Sequence, residues 1–312
     1  MKVPVALSVV VPLYNEEALA EELNIRLQKA VSAITNDWEI IYINDGSRDS
    51  TPHLMKQFAA KESRVRYISF SRNFGHQIAI SAGIDHASGK ALAIIDGDLQ
   101  DPPELIPDLY KRYLEGFEVV YAKRAQRKGE SWFKLFTAKL FYRLLRKMTS
   151  VDIPVDVGDF RIIDRKVIDQ LKAMPERNKY IRGQIAWIGF KSSFVEYERD
   201  ARKAGETNYP FRKMLQFAID GITAFSDAPL KFVSRLGFFV SGLAFLVILY
   251  ALYSHFILNK TITGWTSMII SSMFIGGIQL VSIGIIGEYI SRINDNVRQR
   301  PLYIIGESNL EK

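Results

Sequence analysis

The sequence predicts an α/β domain with a mainly parallel sheet, followed by interfacial helices and a two-helix transmembrane hairpin. Three observations carry this reading. Short β-branched runs alternate with amphipathic stretches through the first part of the chain. Two apolar runs of bilayer length lie close together after Leu236. Cations crowd the flanks of those runs.

The expected strands are residues 7–11, 38–43, 65–70, 91–95 and 119–122, and the helices between them 16–34, 51–61, 75–86 and 103–115. In an open sheet of this kind ligands bind beyond the carboxyl ends of the strands. The greasy stretches 236–258 and 266–288 are each near the roughly 20 residues that cross a bilayer core. The linker between them is short, so both flanks lie on one side. Lys231, Arg235, Arg292, Arg298 and Arg300 assign that side to the cytoplasm by the positive-inside rule.

Stretches 132–148 and 211–225 place apolar positions at helical spacing opposite Lys and Arg, as expected for helices in the headgroup region. The organisation is therefore a cytoplasmic domain over 1–208, a juxtamembrane helix over 209–231, two spans within 232–290 and a cytoplasmic tail over 291–312. On the second span, Ser272 and Gly276 make a small-x-x-x-small pair that favours close helix packing and a homo-oligomer; packing within the hairpin has the same signature.

Composition narrows the function. A 48% hydrophobic content supplies a sizeable core. The absence of cysteine removes disulfides, thiolate nucleophiles and Cys-ligated zinc. The four histidines are scattered, with no pair at ligand spacing. The net charge of +7 is open to nucleic acid, an anionic membrane surface or phosphorylated ligands, and because much of the excess lies near the apolar segments it favours membrane over nucleic acid.

The strongest local feature is Asp96-Gly97-Asp98-Leu99-Gln100-Asp101-Pro102, directly after an expected strand. Two carboxylates leaving a sheet together can share a divalent cation with a diphosphate. Mg²⁺ suits this, since it takes one or two carboxylates plus phosphate oxygens. A turn with a helix cap has the same composition, Asp101 before Pro102-Pro103 being a ready N-cap. Two further carboxylate-bearing loops, Pro12-Leu13-Tyr14-Asn15-Glu16-Glu17 and Asn44-Asp45-Gly46-Ser47, end strands of the same sheet. Asp45 there is suited to accept from a nucleobase.

With Ser71-Arg72-Asn73-Phe74-Gly75, Gly158-Asp159-Phe160-Arg161, Gly287-Glu288-Tyr289-Ile290 and Arg300-Pro301, these pieces resemble the family 2 glycosyltransferases. Within that family the match is to the polyprenyl-phosphate sugar transferases, in order along nearly the whole chain. The resemblance implies a GT-A nucleotide-sugar domain in which Pro12, Tyr14, Glu16 and Asp45 hold base and ribose. Asp96 and Asp98 would hold donor and metal, Mg²⁺ or Mn²⁺. Gln100 and Asp101 would face the sugar, Arg124, Asp159 and Arg161 would line the pocket, and Arg202 with Lys203 would meet phosphate.

The implied reaction moves a hexose from a nucleotide sugar, UDP-glucose first, onto undecaprenyl or another polyprenyl phosphate at the bacterial plasma membrane. N-acetylglucosamine, galactose and GDP-mannose remain open as donors. A phosphomonoester has a second pKa of about 6 and arrives ionised. Asp159 is therefore expected to organise the site rather than to act as an obligatory base; pairing with Arg161 for structure alone is the alternative.

Two positions depart from the pattern: Asn208 stands where relatives carry Lys, and His76 follows Gly75 where several carry Lys. Contact with the donor and simple surface exposure are equal readings of His76. A processive synthase would add a Gln-x-x-Arg-Trp motif and more spans. A non-catalytic flippase or scaffold would have eroded acidic motifs, and neither matches. Residues 83–90 only superficially resemble a phosphate loop.

Overall fold

A computed structural model describes residues 5–125, 154, 157–198, 228–257 and 264–310. The chain forms two compact units, one holding the sheet together with residues 300–312, the other holding 216–299.

In the first unit the elements run β1 (Leu7–Leu13), α1 (Ala20–Ser32), β2 (Trp38–Asn44), α2 (Thr51–Lys61), β3 (Val65–Phe70), α3 (His76–His86) and β4 (Ala91–Ile94). A 3-10 turn (Pro103–Leu105) leads into α4 (Ile106–Leu114), then β5 (Val119–Arg124), β6 (Val157–Asp164), α5 (Arg165–Ala173), α6 (Ile181–Ile188) and β7 (Ser192–Tyr197). The last strand, β8 (Ile305–Ser308), comes from the far side of the hairpin in sequence.

The sheet order is β7-β5-β6-β4-β1-β2-β3-β8. β1 pairs in parallel with β2 and β4, β2 with β3, and β5 with β7. β6 runs against β4 and β5, and β8 against β3. β1, β2 and β4 are buried along their whole lengths, which is why their apolar residues run on rather than alternate with polar ones. One core face buries Leu23, Leu27, Met55 and Leu109 beneath α1, α2 and α4. The other buries Ile80, Ile84, Ile168 and Ile185 beneath α3, α5 and α6.

The five expected strands and four expected helices are present, with α1 starting at Ala20 rather than at residue 16. The delay has a local cause. Asn15 is left-handed (φ 56°), and the amides of Glu16 and Glu17 bond Thr51 Oγ1 (3.0 Å) and Asp49 Oδ2 (3.1 Å), not a helix. β6, β7 and β8 add to the expected strands, so the 291–312 tail ends as a sheet edge.

The second unit contains α7 (Ala228–Phe256) and α8 (Trp265–Arg298), packed on each other. Both hold stretches long and apolar enough to cross a membrane, Pro229–Ser254 and Ser271–Arg298. Phe238, Phe239, Met273 and Leu280 are among many large apolar side chains that stand exposed on them. Exposed apolar surface of this extent marks a contact with a membrane or another protein. α7 begins inside the expected juxtamembrane segment and α8 continues past residue 290. The expected interfacial helices at 132–148 and 211–225 lie outside the described residues.

Candidate active site

β1, β2 and β4 are parallel neighbours, so their carboxyl ends and the following loops converge. β6 enters the same place from the opposite direction, with Arg161 in register with Ile94. An antiparallel strand begins where its parallel neighbour ends. Asp159 therefore sits beyond the end of β4, beside Asp96.

One end of the site is built round Asp45, which is buried after β2. Its carboxylate accepts from the Phe74 amide (2.7 Å) and the Gly75 amide (2.9 Å), and the Asn73 side chain donates to its carbonyl (3.1 Å). Burial raises the Asp45 carboxyl above its usual range, with the two amides pulling against it. Gly46 is left-handed (φ 69°), and a Cβ there would meet the Arg72 carbonyl carbon at 2.4 Å. Only glycine lets the two loops close on each other. Nearby, the Asn15 amide donates to Ser47 Oγ (2.9 Å) and the Arg48 amide to Asn15 Oδ1 (2.9 Å). Pro12 is buried under this crossing, Tyr14 stands 45% exposed above it, and Glu16 is partly covered.

The centre is the Asp96–Asp101 loop. Gly97 packs on Leu13, where a Cβ would lie 2.3 Å from Cδ2. Leu99 is left-handed (φ 54°) and buried, a strained conformation of the kind that gathers at functional loops. Asp98 Oδ1 accepts from the Gln100 amide (3.1 Å), shaping the turn. Asp101 is fully buried and takes the Tyr197 hydroxyl. Arg124 lies close behind, 3.0 Å from where a Gly158 Cβ would be. Asp101 thus braces the loop from below.

Asp159 is the most heavily bonded carboxylate of the site. Oδ1 accepts from Arg182 Nε (2.8 Å) and an Arg161 Nη (3.1 Å). Oδ2 accepts from His76 Nε2 (3.1 Å) and Gln77 Nε2 (3.4 Å). Burial alone would raise this carboxyl; His76 and the two guanidiniums override it and hold it well below the usual range. Arg161 is wholly buried, bonded also to the carbonyls of Asp159 (3.0 Å) and Gly158 (2.7 Å).

Asp96 has the opposite surroundings. Its Oδ1 is buried without a hydrogen-bond partner among the described residues, 3.4 Å from His76 Nε2. Burial first, then the charges of Asp159, Asp101 and Asp98, push its carboxyl up to about 6 against the pull of His76. Ligand atoms of His76, Asp96 and Asp159 lie within 4.8 Å of one another. The donor set fits Mn²⁺ or Mg²⁺ at Asp96, whose Oδ1 has only the shared His76 within ion-pair reach among the described residues, better than at Asp159, whose oxygens already face His76 and two guanidiniums.

The expected residues Pro12, Tyr14, Glu16, Asp45, Asp96, Asp98, Gln100, Asp101 and Arg124 fall on loops or strand ends of this region, and Asp159 and Arg161 lie within β6. Arg202 and Lys203 lie outside the described residues, as does Asn208. His76 is exposed at the surface and at the same time joins the acidic centre through Asp159 and Asp96. Gln77, Arg182 and Tyr197 were not foreseen. The one available signal for Arg182 is a cation at the start of an otherwise apolar stretch, Tyr180-Ile181-Arg182-Gly183-Gln184-Ile185.

The model of glycosyl transferase family 2 matches residues 8–172. The chain is 50% identical over 301 residues to the uncharacterized glycosyltransferase YkcC of Bacillus subtilis (strain 168), covering 96% of this chain and 93% of that one. It is 39% identical over 303 residues to the SfII prophage-derived bactoprenol glucosyl transferase of Shigella flexneri, covering 97% and 98%. A solved structure of Mycobacterium tuberculosis glucosyl-3-phosphoglycerate synthase with Mn²⁺, uridine diphosphate and phosphoglyceric acid is similar at TM-score 0.47. It is 20% identical, covers 70% of this chain and 76% of that one, and is too distant to carry ligand positions across. Matched over more than half its length by the family model and nearly end to end by such relatives, the chain belongs to glycosyl transferase family 2 and is a glycosyltransferase.

Proposed function

We propose that the protein transfers a hexose, glucose from UDP-glucose first among the candidates, to a polyprenyl phosphate at the cytoplasmic face of a membrane. The observation that carries the acceptor class is the saturation of Asp159. A general base needs a free lone pair and a carboxyl value near neutrality. Asp159 has four side-chain donors on its two oxygens and a strongly lowered value. With Asp96, whose carboxyl does lie near neutrality, given to the cation, a site so arranged suits a nucleophile that arrives ionised, as a lipid phosphate does and an alcohol does not. The 39% identical relative named a bactoprenol glucosyl transferase supports the same choice.

In this reading Asp45 and the loop ends of β1 and β2 hold the nucleoside. Asp96 and Asp98, with His76 beside them, would hold Mg²⁺ or Mn²⁺. Such an ion, when bound, neutralises the diphosphate and eases its departure. Arg182, 29% exposed at the rim of the cluster, keeps Asp159 fixed and adds positive charge toward phosphate. Asp159 holds His76, Arg161 and Arg182 in place while the phosphate oxygen attacks the anomeric carbon, with inversion. The exposed apolar faces of α7 and α8 support membrane residence, and Lys231, Arg235, Arg292, Arg298 and Arg300 support a cytoplasmic domain. Self-association along Ser272 and Gly276 belongs to the same proposal, and crosslinking in membranes tests it.

The functional test supplies full-length protein with nucleotide sugars and a divalent cation, together with undecaprenyl phosphate or the uncharged alcohol. A lipid-linked hexose, identified by mass spectrometry, is expected from the phosphate alone. Equal turnover of the alcohol would overturn the proposed acceptor, and product from another sugar alone would replace glucose.

A further inference from the structure

The loop that holds Asp45 is itself held by the end of the chain. β8 pairs with β3, and the Ser71 amide, the first of the loop, donates to the Ile304 carbonyl (3.0 Å). Asn309 Oδ1 accepts from the Tyr67 amide (2.7 Å), while its Nδ2 donates to the Val65 carbonyl (3.3 Å). Lys56 pairs with Glu307 (2.7 Å), which also accepts from the Tyr67 hydroxyl (3.1 Å).

Tyr303 makes the decisive contact. Its ring stacks on Phe70 (centroids 5.1 Å apart, 21° between planes), and its hydroxyl donates to Asp85 Oδ2 (3.1 Å). Phe70 meets Phe74 edge to face at 5.6 Å, and Arg72 covers the other ring contact of Phe74 at 4.0 Å. The Phe74 amide is the shortest donor to Asp45. A continuous path of packed groups thus runs Tyr303, Phe70, Phe74, Asp45.

We propose that residues 302–310 are positioning residues for the nucleotide end of the site: by pairing with β3 and stacking Tyr303 on Phe70, they fix the 71–75 loop in the shape that orients Asp45. Without β8, β3 would be the sheet edge, and the loop leaving it would have no partner for the Ser71 amide. An unpaired edge frays more readily than a paired one. The segment beyond the membrane helices in sequence is therefore part of the donor site rather than a passive tail. The inference rests on the reading that Asp45 serves the nucleoside.

The test compares full-length wild type, Tyr303→Leu, Tyr303→Phe and Asp45→Asn in detergent. Hydrogen exchange at the Phe74 and Gly75 amides is measured without ligand, and UDP affinity by calorimetry. Tyr303→Leu should speed exchange at both amides and weaken UDP binding about three- to tenfold, the scale of one aromatic pair. Tyr303→Phe keeps the ring and should stay near wild type in both. The KM for polyprenyl phosphate should not move in either variant. Unchanged exchange in Tyr303→Leu would overturn the proposal, as would a lowered melting temperature with UDP affinity intact. If UDP affinity is unchanged in Asp45→Asn as well, the assignment of Asp45 has failed. If it falls there alone, only the coupling through Tyr303 has failed.

Discussion

Asp159 and Asp96 share one histidine, at 3.1 and 3.4 Å, yet the chain treats them in opposite ways. Asp159 is surrounded by the protein's own cations, and its charge is settled within the fold. Asp96 is left with a buried oxygen that no group among the described residues hydrogen-bonds, His76 standing 3.4 Å away, among three other carboxylates. The comparison separates two jobs that a cluster of aspartates could otherwise share. One carboxylate organises the protein's cations, and the other keeps an unmet demand that a bound cation can fill.

The largest effect should come from breaking the settled side. Asp159→Ala leaves Arg161 fully buried beside Arg182 without the carboxylate it is bonded to, only the weaker attraction of Asp96 remaining among the described residues. Loss of a buried pair in this way costs about 3–5 kcal/mol. Chemical denaturation should show it, together with loss of transfer. A stable Asp159→Ala protein would mean that Arg161 is compensated elsewhere.

Breaking the open side should instead cost catalysis and spare the fold. Asp96→Asn and Asp98→Ala should each lower the rate of lipid-linked product about a hundredfold or more, the usual scale for removing one group that stabilises departing charge. Initial rates at saturating donor measure this. Full activity in excess chelator would dissolve the distinction between the two carboxylates.

The smallest effect sharpens the comparison by its sign. Asp96 keeps its proton to about pH 6 in the folded protein, whereas the unfolded chain loses it near 3.8. Between those values the folded state binds more protons, so its stability falls as pH rises. Asp159, with a lowered value, works the other way: its contribution is present above 3.8 and is lost as pH falls through its folded value. In metal-free buffer Asp96→Asn should therefore be more stable than wild type above about pH 6, by about 1 kcal/mol, and equal to it below about pH 4. The shift alone would give more, but Asp96 is 24% exposed and the amide also resists burial.

The legible part of the fold is the part whose strands are buried on both faces. β1, β2, β4 and β5 carry apolar runs, and β3 buries five of its six residues around Arg66, so the residues spell them out. β6 hides because it carries the site: Gly158, Asp159 and Arg161 interrupt a run that Phe160, Ile162 and Ile163 would otherwise declare. β7 and β8 are edge strands with mostly exposed or half-exposed residues, held by pairing to a neighbour that a local reading does not see. The site divides likewise. Asp45, Asp96 and Asp98 announce themselves at loops, while Asp159 lies within β6 and shows through the Gly158–Arg161 motif. Gln77 and Arg182 matter only through bonds to Asp159, which lies 82 and 23 residues away in sequence.

The most direct test of the division between the carboxylates is Mn²⁺ binding to the full-length protein, followed by electron paramagnetic resonance in wild type and Asp96→Asn. An Asp96-centred site predicts one bound ion in wild type and at least about tenfold weaker binding in Asp96→Asn, the loss of one charged ligand. Unchanged Mn²⁺ affinity in Asp96→Asn would refute it and return Asp159 to the role of ligand.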